Sequence, residues 1–138
     1  MEIGAIGSHS RINKIVDDDL CVRSNGIASV DGRSLATLVS RNGGVVLRAK
    51  IEGQSAVDIR AKTSVRIEGK IDGKSSVTIT ADGDIYIQDK IDGASEVILN
   101  AGGNIEIGDK IDNAVVKWRG KKLTVANGIN DVAKVSRF

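Results

Sequence analysis

Four lysine-isoleucine pairs recur at a constant interval of 20 residues: Lys50-Ile51, Lys70-Ile71, Lys90-Ile91 and Lys110-Ile111. An acid follows each pair: Glu52, Asp72, Asp92 and Asp112. A fixed period of this length, without drift, is the mark of a stacked solenoid. A solenoid coil cannot bury its own apolar side and needs neighbours above and below. No other feature of the chain restricts its fold as strongly.

Within the coil that runs from Lys70 to Asp89 there are three apolar patches: Ile71; Val77, Ile79 and Ala81; Ile85 and Ile87. The spacing inside a patch is two, the side-chain period of a strand. Asp72-Gly73 and Asp82-Gly83 separate the patches, and such dipeptides favour tight turns. The following coil repeats the pattern with Ile91, Val97/Leu99/Ala101 and Ile105/Ile107, the preceding one with Ile51, Val57/Ile59/Ala61 and Val65/Ile67. Three short strands per coil, each stacked on its equivalent one coil away, describe an all-β, single-stranded parallel β-helix. Each inward position then becomes a column of like side chains about 4.8 Å apart. Branched isoleucine and valine suit such columns. The Ala61/Ala81/Ala101 column predicts a corner where two sheets meet closely. Only three aromatic residues, Tyr86, Trp118 and Phe138, fit a narrow interior. Right-handed winding is expected from the crossover preference of parallel strands and from the absence of the hexapeptide spacing of left-handed forms.

The pattern loosens towards both ends. Val116 and Trp118 take the Val97 and Leu99 places, and Leu123, Val125 and Ile129 match Ile105, Ile107 and Ile111 if two residues are deleted. Upstream, Val45/Leu47 match Val65/Ile67, and Leu20/Val22, Ile27 and Val30 form an earlier, irregular coil. The expectation is a single domain over 1–138 with about six coils, roughly 25–30 Å of stack. Residues 1–11, with Gly4, Gly7, Ser8 and Ser10, read as an N-terminal arm or cap, 12–129 as coils and 130–138 as a C-terminal cap. Val132, Val135 and Phe138, three apart, predict a short helical or irregular cap.

No apolar run approaches the roughly 18–20 residues that cross a bilayer. No basic segment followed by an apolar stretch opens the chain, so no signal peptide is expected. A cytoplasmic location follows as the expectation, although a phage or secretion-apparatus component would carry the same features. The single cysteine, Cys21, excludes an internal disulfide and a cysteine metal cluster. It alternates outward between Leu20 and Val22. The net charge of +2 conceals a sequence of blocks: residues 1–32 carry −2, 33–70 carry +5, 71–112 carry −6 and 113–138 carry +5. In a solenoid, position along the chain is height, so these blocks become bands that could steer self-association side by side or end to end.

Several residue groups are candidates for chemistry. The ladder of Lys50, Lys70, Lys90 and Lys110 beside Glu52, Asp72, Asp92 and Asp112 flanks inward isoleucines, so both columns point outward on one edge. Its simplest role is mutual charge compensation, and exposed pairs of this kind contribute little. An anionic ligand such as a glycan or polyphosphate along that edge is the sharper alternative. Parallel β-helix enzymes that cut acidic polysaccharides cluster carboxylates with a basic residue on one outer face. Here Arg66, Asp84, Tyr86, Gln88 and Glu106 share a side, and two carboxylates on adjacent coils would have to serve as acid and base. The chain has almost none of the long inter-coil loops that build such clefts, so catalysis is not expected. Thr78 and Thr80 do not extend into an ice-binding array, because Asp58/Arg60 and Ile98/Asn100 occupy the equivalent places. Ile98, exposed beside an outward Val115, marks a candidate lateral contact. Asp82-Gly83-Asp84 lacks the nine-residue calcium repeat. His9 has no partner in sequence. Arg41, Arg48, Arg60, Lys62 and Arg66 lack the aromatic platforms of a nucleic-acid surface. No cofactor motif is present.

The coils from about residue 45 to 112 resemble the Gly-Lys-Ile-Asp-Gly-type repeats of bacterial right-handed β-helix proteins. In size, Ile/Val/Gly richness and lack of a signal peptide the chain is similar to the bactofilins, cytoskeletal β-helices that polymerise through their ends. The resemblance implies the fold and directs attention to self-assembly. Bactofilin coils are somewhat shorter than 20 residues, and no motif specific to that family is present. The expected function is therefore a non-enzymatic structural or interaction module, a homo-oligomer or the dock for a protein partner. The alternative is a carbohydrate-active or glycan-binding β-helix using Arg66, Asp84, Tyr86 and Glu106. A membrane partner is not expected, and nucleic acid is disfavoured.

Overall fold

A computed structural model describes residues 2–3, 11–22, 29–30, 33–130 and 132–138. Every regular element among them is a β-strand. The two strand-forming patches of each coil stack into two seven-stranded sheets, parallel throughout. The long sheet holds β2 (Arg11–Val16), β5 (Leu35–Ser40), β8 (Ala56–Ala61), β10 (Ser76–Ala81), β12 (Glu96–Ala101), β14 (Val115–Arg119) and β16 (Lys134–Arg137). The short sheet holds β1 (Glu2–Ile3), β3 (Leu20–Val22), β6 (Val45–Leu47), β9 (Val65–Ile67), β11 (Ile85–Ile87), β13 (Ile105–Ile107) and β15 (Leu123–Val125). The result is a parallel β-solenoid of about six turns.

The third side is thinner than the repeat predicts. Among the described residues only β4 (Ser29–Val30) and β7 (Lys50–Ile51) pair there as strands. Beyond them Ile51, Ile71, Ile91, Ile111 and Ile129 are joined by single parallel bridges. The cause is local: Ile51, Ile71, Ile91 and Ile111 are each followed by an acid and then a turn, which leaves little of this side extended. At Gly53, Gly73 and Gly93 that turn enters the left-handed region, with φ of 73°, 74° and 69°. The cross-section is thus three-sided and unequal.

Alternation places the core. Val57/Val77/Val97/Val116, Ile59/Ile79/Leu99 and Ile67/Ile87/Ile107 stand in register and are buried, as are Ile51, Ile71, Ile91 and Ile111. Each such isoleucine contributes roughly 1.5–3 kcal/mol by leaving water. Ala61, Ala81 and Ala101 close the long strands at the expected corner. Cys21 lies between the buried Leu20 and Val22 and is itself half-buried, as its alternation requires. The C-terminal deletions fall where the sequence places them: Val116 pairs with Val97, Trp118 with Leu99, Leu123 with Ile105 and Ile129 with Ile111.

Both ends depart from expectation. The C-terminal segment is not a helical or irregular cap: β16 pairs with β14 and sets Val135 on Val116. At the other end, β1 pairs with β3 and Arg11 already begins β2, so the segment expected as an arm or cap contains strand residues. His9, Gly4, Gly7, Ser8, Ser10 and Ile27 lie outside the described residues.

One buried column escapes apolar patterning. Ser34, Ser55, Ser75 and Ser95 are inward and at most 1% exposed. Ser55, Ser75 and Ser95 each donate a hydroxyl hydrogen bond to the carbonyl three residues earlier, of Glu52, Asp72 and Asp92, at 2.8, 2.8 and 2.9 Å. These bonds brace the turn that follows each bridging isoleucine. In the next coil Ala114 takes that place, and the shortened turn carries Asn113 at φ 50°.

Candidate interaction surface

The solenoid presents its outward side chains as straight columns, so a residue's neighbours are those one coil away. On the bridging edge the lysine and acid columns pair within each coil. Lys50 lies 3.4 Å from Glu52, Lys70 3.1 Å from Asp72, Lys90 3.2 Å from Asp92 and Lys110 3.5 Å from Asp112. Asp72 and Asp92 also accept the N–H of Gly73 and Gly93, at 2.7 and 2.6 Å. That backbone hydrogen bond is the main cause that holds each carboxyl below its ordinary range. Partial burial opposes the shift, and the lysine two residues earlier adds to it. The hydrogen bond to Asp92 raises Lys90 above its ordinary value. The ladder is therefore internally compensated, and Asp72 and Asp92 also fix the turns that follow them.

On the short-sheet face Arg66, Tyr86, Glu106 and Thr124 form one column. The Arg66 guanidinium covers the Tyr86 ring at 4.7 Å from its centre. Glu68 holds Arg66 through one oxygen and Arg48 through the other, both at 3.1 Å. Asp84 precedes the strand, and its Oδ1 accepts the backbone N–H of Asn104 at 2.7 Å, so it serves as a brace between coils. The four residues share a side, yet the ring face is occupied and one carboxylate is engaged by the backbone.

The long-sheet face differs. Its outward residues form a first column of Leu35, Ala56, Ser76, Glu96, Val115 and Lys134, and a second of Thr37, Asp58, Thr78, Ile98, Lys117 and Ser136. Between them runs a shallow furrow. One stretch is lined by Leu35, Thr37, Ala56, Asp58, Ser76 and Thr78. The other, a depression of about 150 Å³, is lined by Ser76, Thr78, Glu96, Ile98, Val115 and Lys117. They share Ser76 and Thr78, so the furrow is continuous over five strands. Small residues, Ala56 and Ser76, stand between the larger Leu35 and Glu96 in the first column and leave it open there. Leu35, Ile98 and Val115 are 43%, 39% and 38% exposed, which leaves open apolar walls along the furrow. Asp58 borders the furrow with Oδ1 buried and without a hydrogen-bond partner, while Oδ2 lies 3.3 Å from Arg60 Nη2.

The sequence located Ile98 and Val115 on this face, because the single deletion near Asn113 brings Val115 outward beside Glu96. It did not reveal the furrow, which depends on residue size across several coils, nor the unpartnered Asp58 oxygen. Among the described residues no group of three or more His, Cys, Asp or Glu could hold a metal ion, and no helix is long and apolar enough to cross a membrane. Comparisons of the chain with protein-family models, with curated proteins and with solved structures find no match.

Proposed function

We propose that this chain is a non-enzymatic interaction module, a rigid β-solenoid that self-associates or docks a protein partner through the outer face of its long sheet. The observation that carries this reading is the furrow, where open apolar and small residues, Leu35, Ala56, Ser76, Ile98 and Val115, stand among the charged Asp58, Glu96 and Lys117, while the bridging edge of the rod is ion-paired. Apolar lines of this sort mark contact surfaces when charged residues rim them. The short turns between coils offer no walls for a substrate cleft. The glycan alternative has less support, since Arg66 covers the Tyr86 ring and Asp84 is engaged by Asn104.

A bactofilin-like role would join rods through their ends, and the end registers argue for lateral contact instead. Continuing the long-sheet register from β16 of one copy onto β2 of the next sets Arg137 against Lys14 and Lys134 against Arg11. Two like charges about 4.8 Å apart repel by about 1 kcal/mol in water and about 3 kcal/mol in a partly buried setting. A slip by one residue would set the inward columns of one copy over the outward columns of the next.

Light scattering coupled to size exclusion tests the reading, at low and at physiological salt. A mass above the 14.5 kDa of one chain, reduced by Ile98→Asp, supports it, as does a smaller oligomer at higher salt, where exposed charge bands are screened. Assembly indifferent to Ile98→Asp would overturn the assignment of the face. Cleavage of an acidic polysaccharide by the pure protein, lost in Glu106→Gln, would overturn the non-enzymatic reading.

A further inference from the structure

We propose that the occupant of the furrow is a second copy of this chain, packed face to face and antiparallel about a twofold axis that runs along the strands midway between β10 and β12. The inference rests on the interaction-module reading and names its partner and register.

A twofold axis along the strand direction lays each outward column on itself with the order of coils reversed. With the axis between β10 and β12, β8 of one copy faces β14 of the other. Asp58 then meets Lys117 of the second copy, and the contact occurs twice. The Asp58 carboxylate, whose Oδ2 lies 3.3 Å from Arg60 Nη2, then faces that ammonium with opposite charge. In the same register Ala56 meets Val115, small against large, Thr78 meets Ile98, and Ser76 meets Glu96 with a hydroxyl to donate.

Neighbouring registers fit worse. An axis on β12 sets Glu96 against Glu96 and Ala56 against Lys134. An axis on β10 sets Asp58 against Ile98 and leaves Lys117 facing Thr37. The favoured register brings Arg60 opposite Arg119. Asp58 offsets the Arg60 charge at 3.3 Å, whereas Arg119, bound to the Phe138 carbonyl at 3.2 Å, keeps its charge, so this pair opposes the contact and further weakens the dimer. Antiparallel pairing also leaves Lys14 and Arg137 apart, unlike end-to-end stacking.

The contact is modest. A six-residue strand spans about 17 Å and five strand spacings about 24 Å, so each copy covers roughly 400 Å². The total of roughly 800 Å² falls below the about 1,200–2,000 Å² of stable complexes. The dimer therefore dissociates in the micromolar range or above, and it is sought at high concentration.

The test is sedimentation equilibrium of the Cys21→Ser chain from about 1 µM to about 1 mM. Thermal melts check that each variant folds. Asp58→Lys and Lys117→Asp, made singly, are each expected to weaken the dimer at least about tenfold, by opposing like charges. Made together they restore it to within about threefold of the parent. In a mixture, Thr78→Cys chains are expected to cross-link to Ile98→Cys chains in preference to their own kind. If the parent dimerises but the double swap does not rescue, this register is wrong while the interaction reading stands. If the parent stays monomeric throughout, a second copy is not the occupant. A dimer that Ile98→Asp leaves intact defeats both.

Discussion

Two glycines separate the cost of a backbone conformation from the cost of stacking. Gly93 and Gly128 both have positive φ, 69° and 86°. A methyl group at Gly128 meets nothing within 4 Å. At Gly93 it would overlap the carbonyl oxygen of Gly73 and lie 2.7 Å from the Gly73 nitrogen, backbone atoms of the coil beneath. Gly128→Ala therefore carries only the left-handed penalty of about 1–2 kcal/mol, offset by about 0.4–1 kcal/mol from restricting the unfolded chain. The expected net loss is about 0.5–1 kcal/mol. Gly93→Ala adds an overpacking term of about 1–3 kcal/mol, because the clash is with main chain that cannot rotate aside. Its expected loss is about 2–4 kcal/mol. For a domain of this size each kcal/mol lowers Tm by about 3–5 °C. Thermal unfolding followed by circular dichroism should then place Gly128→Ala a few degrees below the parent and Gly93→Ala about 10 °C below it. Equal midpoints for the two variants would refute the claim that contact between stacked turns, beyond φ alone, demands glycine at position 93.

Three further outcomes are expected. Asp72 and Asp92 have folded-state pKa values below the ordinary 3.8, so the stability they contribute is present above about pH 4 and is lost as pH falls through the folded values. Lys90 is raised above 10.5, so its contribution is present below that value and is lost as pH rises through the folded one. Urea midpoints between pH 6 and 2 should fall less steeply in Asp72→Asn/Asp92→Asn than in the parent, and identical slopes would contradict the assignment. Ser95→Ala removes a buried hydroxyl that donates to the Asp92 carbonyl and should cost about 1 kcal/mol in chemical denaturation, a loss that a neutral result would disprove. Lys14→Leu combined with Arg137→Leu and Lys134→Leu removes both pairs of facing charges between the two ends and should produce elongated particles by light scattering and electron microscopy; unchanged particles would show that those charges do not block end stacking.

Much of this molecule was legible before any coordinate. A 20-residue period names a stack, and alternation at spacing two assigns each side chain to the interior or the surface. Placing Trp118 in the Leu99 column and Ile129 in the Ile111 column needed only a count of two deleted residues. The end segment was harder. Val132, Val135 and Phe138 allow a helical period, and β14 decides the matter by offering an unpaired edge that Lys134–Arg137 extends. The candidate short-sheet residues share a side as the alternation demands, but their state did not follow from it. Arg66 stacks on Tyr86 and Asp84 bonds to Asn104 through contacts made between coils.

The sequence by itself determined the solenoid, its inward columns, its alanine corner and the outward position of Ile98, because these depend only on period and alternation along one coil. Only the tertiary structure decided that the third side is a line of single bridges, that serine hydroxyls brace the turns, that the furrow is continuous and that its Asp58 oxygen stands unpartnered. The bridges and the furrow depend on how residues about 20 positions apart meet across a strand spacing, a distance set by stacking and not by neighbours in the chain, while the serine bonds span three residues and depend on the conformation of the turn.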